Sequence, residues 1–174
     1  MIEKFHLQNF GPVASVNASS LGSLNLLIGK NRFNGYKKAL ENHNMSLNPE
    51  YTVFCDSYEK ALEETKKLLQ LSKPPDGIFA VNDLTAVGAM KVIKDEGLKV
   101  PDDISVVGFT NWLISRFADP ALTTIDQKGY VMGTEAARLL LKRIKNEDSD
   151  KDSQPITQLL DSELIIREST KTRK

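Results

Sequence analysis

An α/β fold built on a mainly parallel sheet is predicted by two features of the sequence. From about Tyr51 onward, short apolar β-branched runs alternate with longer segments of helical period, the rhythm of strands joined by crossover helices. Punctuation falls between them, at Ser72-Lys73-Pro74-Pro75-Asp76-Gly77, at Gly97 and at Pro101-Asp102-Asp103. With 174 residues and a hydrophobic fraction of 40%, the chain can bury a core in one or two small lobes.

The elements follow in order. Residues 2–10 alternate in β fashion, Gly11-Pro12 makes a turn, and residues 24–28 form a second apolar run, so the start reads as hairpin-like and not as another β-α unit. Residues 32–43 place Phe33, Tyr36 and Leu40 on one helical face, and a short strand follows at 51–54. Tyr58, Ala61, Leu62, Thr65, Leu68 and Leu69 match the i, i+3, i+4, i+7 template of an amphipathic helix. Residues 78–81 suit a buried strand, and Asp83 is placed to cap a helix that runs through Ile93 and stops before Gly97. Strands at 104–109 and 123–126 are followed by a long amphipathic helix over 129–144, a polar break at 146–155 and an alternating strand near 159–166.

Charge and composition exclude several functions. The 23 basic and 23 acidic residues cancel, so no global field draws the chain to nucleic acid or to an anionic membrane. Cys55 is the single cysteine, which rules out an internal disulfide and a cysteine-rich zinc site and fits a reducing compartment. It reads as an inert buried thiol. The first residues lack the apolar core of a signal peptide and no window approaches a membrane span, so a cytoplasmic protein is expected. His6 and His43 are far apart and share no ligand or triad spacing. Asp148, Asp150 and Asp152 mimic the start of a calcium loop, but Ser153 and Leu159 stand where a glycine and a glutamate are required. Asp102 and Asp103 read as a solvated turn. No metal and no cofactor is expected.

The stretch LGSLNLLIGKNRFNGYKKAL, residues 21–40, admits two parses. Residues 1–30 resemble the first strands of ATPase heads of the recombination and overcoming-lysogenisation type, in which such a strand enters a Walker A loop. That loop needs G-x-x-x-x-G-K-[ST], whose backbone N–H groups wrap the phosphates while the lysine and hydroxyl serve phosphate and magnesium. Here Gly29 is followed by Gly35, Tyr36 and Lys37, so the spacing is too long, a tyrosine displaces the lysine and no hydroxyl follows. Nucleotide hydrolysis is not expected.

The second parse covers residues 31–170. Arg32-Phe33-Asn34-Gly35-Tyr36, Pro75-Asp76-Gly77-Ile78-Phe79-Ala80-Val81-Asn82-Asp83, Pro101-Asp102-Asp103-Ile104-Ser105-Val106-Val107-Gly108-Phe109, Pro120-Ala121-Leu122-Thr123-Thr124-Ile125-Asp126-Gln127 and Leu164-Ile165-Ile166-Arg167-Glu168-Ser169-Thr170 occur in the order found in lac-repressor-type transcriptional regulators. The resemblance implies a partial periplasmic-binding-protein-like fold of type I. Residues 31–126 would be the second lobe, 127–155 a return helix belonging to the first lobe, and 156–174 a final strand and tail, with residues 1–30 a β-rich segment of separate origin.

In open α/β sheets ligands sit beyond the carboxyl ends of the strands, where Asn82, Thr110 and Asn111 follow apolar runs. Amides both donate to and accept from hydroxyls, and an arginine offers a planar fork of donors, a combination that suits polyols. By resemblance Arg32, Asn82 and Gln127 match the family's sugar-contacting residues. Most sugar-binding relatives carry an aspartate directly after the Gly-aromatic pair; here Gly108-Phe109 is followed by Thr110-Asn111-Trp112, so that member of the set is missing, Asn111 replaces it only in part, and Phe109 or Trp112 can stack on a ring. Blander readings stand beside these: Arg32 as a solvated arginine at a helix start, Asn82-Asp83 as a turn and N-cap, Trp112 as core filling.

The function expected is therefore effector binding, of a sugar or small polar ligand, in a non-enzymatic module of a bacterial regulator. DNA would be bound only through a domain this chain lacks, a homodimer is possible, and no membrane is involved. The alternatives are a solute receptor for a sugar transporter, which shares the fold, and an inactive ATPase-regulator fusion fragment.

Overall fold

A computed structural model describes residues 13–18, 27–55, 57–145 and 156–171 of the chain. The strands among them form one six-stranded sheet in the order β2-β1-β3-β4-β5-β6. Strands β1 (Val13–Ala18), β2 (Thr52–Cys55), β3 (Gly77–Ala80), β4 (Ser105–Phe109) and β5 (Thr123–Asp126) are parallel, and β6 (Glu163–Ile165) closes the edge antiparallel to β5. Parallel neighbours require crossovers. These are α1 (Leu27–Asn42), α2 (Tyr58–Leu69), α3 (Asp83–Asp95) and the single turn α4 (Ile114–Phe117), while α5 (Gly129–Ile144) follows β5.

The pleat divides the sheet into two unequal faces. On one, Ile78, Ala80, Val106 and Leu122 meet Ala61 and Leu68 of α2 and Ala86, Ala89, Met90 and Ile93 of α3 in one closed cluster. Small residues let the two helices sit close: a Cβ on Gly88 would touch the Tyr58 ring at 3.3 Å. Both helices begin on side-chain caps, Ser57 accepting from Lys60 N at 3.1 Å and Asn82 from Thr85 N at 2.9 Å. On the other face Phe79, Val107 and Phe109 are only half-buried; among the described residues α1 brings a large aromatic against them, Tyr36 stacked parallel on Phe79 at 6.1 Å.

The C-terminal segment fastens the sheet. Ser169 Oγ accepts from Thr123 N at 2.8 Å and donates to Val106 O at 2.6 Å, and Val106 N donates to Ser169 O at 2.8 Å. Thr123 and Thr170 share a buried hydroxyl contact of 2.9 Å.

Several expectations need correction. A β-α unit is found where none was expected: β1 lies between β2 and β3, parallel to both, and the next described element is α1. The apolar run at 24–28 does not close as a strand at Ile28, because α1 already begins at Leu27, five residues before the expected helix start at Arg32. The polar residue that caps α3 is Asn82; Asp83 is its first helical residue. The last strand is shorter than expected, three residues at Glu163–Ile165. Residues 2–10 and the polar break at 146–155 lie outside the described residues.

Helix α5 has the predicted bounds, yet none of its residues is buried; Leu140 is 59% and Ile144 66% exposed.

Gly108 is the tightest point of the closed face. A Cβ there would collide with Asp83 Oδ1 and meet Leu122 Cδ2 at 2.8 Å. Gly108→Ala is expected to destabilise the fold by roughly 1–3 kcal/mol through overpacking, read from the urea midpoint with an unchanged m-value.

Candidate functional site

The carboxyl ends of β3, β4 and β5 lie side by side, and Asn82, Thr110, Asn111 and Gln127 follow those ends directly. Arg32 reaches the same edge from α1. Its Nη1 donates to Val81 O at 2.8 Å, and its guanidinium carbon lies 4.5 Å above the centre of the Phe109 ring. Such a cation–π contact contributes about 0.5–2 kcal/mol, more as it is desolvated. Half-burial pushes the Arg32 guanidinium below its ordinary pKa. The aromatic row continues inward: Phe109 meets Phe79 edge-on at 6.3 Å, and Phe79 meets Tyr36, whose phenol burial raises to about 12.

Asn82 serves two purposes. Its Oδ1 caps α3 through Thr85 N, which orients the side chain, and its Nδ2 is left as a donor at the edge. The functional and the capping readings of Asn82 are thus compatible. Gln127, one residue beyond β5, is half-buried.

After β4 the chain turns through two left-handed residues, Thr110 at φ 123° and Asn111 at φ 53°. Asparagine tolerates this region; a β-branched threonine there is an outlier that costs on the order of 1–3 kcal/mol. What holds it is Asp83. This carboxylate has 0% exposure, and its Oδ2 accepts from Trp112 N at 2.6 Å and from Thr110 Oγ at 3.3 Å, while Oδ1 accepts a short bond from Thr124 Oγ. One side chain at the start of α3 therefore ties together the ends of β3, β4 and β5, at the helix end where a negative charge is favourable.

Asn111 is held at both ends of its amide. Its Nδ2 donates to Asp126 Oδ2 at 3.2 Å, and its Oδ1 accepts from Arg167 Nη2 at 2.7 Å. Arg167 also donates from Nη1 to Leu122 O at 2.7 Å and to Ser115 Oγ at 3.1 Å. Burial lowers the Arg167 pKa, with nearby Arg116 adding to the effect and Asp83 and Asp126 opposing it. Trp112 is not core filling: its side chain is 64% exposed beside Leu113 and Phe117.

Among the described residues no cluster of histidine, cysteine, aspartate and glutamate has the arrangement of a metal site, and no helix is long and apolar enough to cross a membrane. Cys55 is buried. What the described residues present at the edge is hydrogen-bonding groups and an aromatic face.

The sequence profile of the periplasmic binding protein-like domain family matches residues 22–170. The chain belongs to that family. It is similar to the HTH-type transcriptional repressor CytR of Escherichia coli K12, with 39% identity over 141 residues, or 80% of this chain and 40% of CytR. Its fold is similar to that of the transcriptional regulator CelR in complex with cellobiose (TM-score 0.84, 27% identity, 96% of this chain and 49% of CelR). It also resembles the lac repressor dimer bound to operator and an anti-inducer (TM-score 0.82, 26% identity, 97% of this chain and 56% of the repressor). The chain thus spans about two fifths of the CytR length.

The match from residue 22 crosses the junction at Gly29 to Asn31, where the two parses divide. Gly29, Lys30 and Asn31 lie within α1, so no phosphate loop forms there, and the ATPase-head resemblance of residues 1–30 finds no support. Three residues that organise the edge of this periplasmic binding protein-like domain escaped the sequence reading: Asp83 as a buried hub, Thr124 as its partner and Arg167 as the clamp on Asn111. The signal for Asp83 was the Asn-Asp pair after an apolar run, which does not say which of the two caps. Nothing local in the sequence points from Arg167 to Asn111.

Replacing Asp83 by alanine strands the buried Thr124 hydroxyl and the partly buried Trp112 N–H and Thr110 hydroxyl, at a cost of about 1–3 kcal/mol for each buried donor left unsatisfied. Asp83→Ala is expected to lower stability by roughly 3 kcal/mol or more and Asp83→Asn by less, with urea unfolding as the measure. The emission of Trp112, the chain's single tryptophan, is expected to shift in both variants.

Proposed function

We propose that this domain is the effector-binding part of a bacterial transcriptional regulator. Its ligand is a small carbohydrate-like molecule held at the carboxyl edge of β3, β4 and β5. The observation that carries the reading is the gathering of the Arg32 guanidinium, the Asn82 amide and the Phe109 ring at one edge, flanked by Gln127. Arg32 and Asn82 donate to ligand hydroxyls, Gln127 donates and accepts, and the ring edge of Phe109 bounds an apolar ligand face. Asn111, with both amide ends already engaged, shapes this edge more than it contacts the ligand.

The named relatives support a regulator that senses and does not catalyse: CytR is a repressor, CelR was seen with cellobiose and the lac repressor as a dimer on operator. In this reading residues 31–126 form one lobe of a two-lobed cleft, and residues 127–155, with the uncovered α5, belong against the other. Operator binding is then the work of a separate domain of the parent protein, reached through a homodimer in the cytoplasm. Ligand binding acts by favouring one of two lobe arrangements.

Titration calorimetry of a sugar panel is the test. Arg32→Ala is expected to weaken the best ligand about ten- to a hundred-fold, the range of a lost charge-assisted hydrogen bond. Affinity unchanged by that substitution would remove Arg32 from the site and the proposal with it.

A further inference from the structure

The hydrogen-bonding capacity of the edge is one-sided. Asp83 is wholly buried and answers three donors. Asp126 accepts from Asn111 Nδ2 with one oxygen and from Lys128 N, at 2.7 Å, with the other. Asn111 Oδ1 is taken by Arg167, and the Thr110 hydroxyl hydrogen is directed to Asp83. What stays unspent is mostly donors, the remaining N–H groups of Arg32, Asn82 Nδ2 and the Gln127 amide, against fewer acceptors: Gln127 Oε1, the Thr110 oxygen and the second lone pairs of the Asp126 carboxylate.

Arg32 is also a half-buried cation with no ion-pair partner among the described residues; its one polar contact is the neutral carbonyl of Val81. A partly desolvated charge without a counter-ion is unfavourable. A neutral polyol brings a donor hydrogen with every hydroxyl, and the edge offers few acceptors to answer those hydrogens. An anion brings acceptors alone and neutralises the guanidinium, in the planar two-point geometry that arginine favours with carboxylate and phosphate.

We propose that the ligand of this edge carries an anionic group, a phosphate or a carboxylate, seated on Arg32 with Asn82 Nδ2 beside it. The proposal rests on the effector-binding reading and narrows its ligand class from polyols to acidic or phosphorylated carbohydrate-like molecules. The lowered pKa of Arg32 has burial as its cause, with no carboxylate acting against it.

The test is calorimetry on the chain with glucose, glucuronate, glucose 6-phosphate, ribose, ribose 5-phosphate and inorganic phosphate, each at about 50 and about 200 mM NaCl, which changes screening at the edge. At least one anionic probe is expected to bind ten-fold or more tightly than its neutral parent, with the difference narrowing at the higher salt. Arg32→Gln should abolish that preference and Arg32→Lys keep part of it. Should Arg32→Gln fail to fold by circular dichroism, the lysine variant and the salt dependence decide. A neutral parent bound as tightly as its acidic forms overturns this proposal and leaves the effector-binding reading standing. No binding by any probe, inorganic phosphate included, overturns both.

Discussion

The buried carboxylate of Asp83 is the constraint on which the arrangement of the edge depends. A carboxylate is the one side chain of this size that accepts at several positions and donates at none, and here a main-chain amide and two hydroxyls converge on it from segments after β4 and within β5. The Thr124 hydroxyl is fully buried, and the Trp112 N–H and Thr110 hydroxyl are partly so, so none of the three is lost without cost. The position at the first turn of α3 adds the helix dipole to the account. Gly108 is required by the same geometry: the oxygen of Asp83 occupies the space a side chain would need. A charge, a glycine and two threonines thus form one unit, although they are spread over β4, β5 and the head of α3.

The unequal covering of the sheet explains where chemistry is available. Beneath α2 and α3 the face is closed by aliphatic and small residues. On the opposite face, among the described residues, α1 supplies an aromatic cover, and Tyr36, Phe79 and Phe109 make a row that ends under the Arg32 guanidinium. The arginine is consequently anchored to a rigid platform at one side and open at the other. Rotamer freedom that a surface arginine would lose on binding has here been lost in folding.

The sequence made the periodic parts legible. Strands β3, β4 and β5 and helices α2, α3 and α5 follow directly from apolar spacing, because each buries a defined stripe or alternates across the pleat. Helix α5 was predicted from the same spacing even though none of its residues is buried, so periodicity records what a segment is shaped to bury and not whether it does so. Strand β1 (Val13–Ala18) escaped the sequence reading, because its register with β2 and β3 is a long-range property. The one-residue ambiguity between Asn82 and Asp83 lies below what cap preferences resolve. Arg167 and Asn111 are 56 positions apart, and only the antiparallel return of β6 brings them within 2.7 Å.

That return also sets an order on folding. Strand β5 and the inner strand β4 receive decisive bonds from Arg167 and Ser169, the latter reaching back 63 positions to Val106. Until the segment around residues 163–170 docks, β5 therefore lacks its outer neighbour, and Val106 and Thr123 lack their Ser169 partner. Cleavage between Ile166 and Ser169 would accordingly cut the ties that reach the middle of the sheet, far from the edge on which β6 lies.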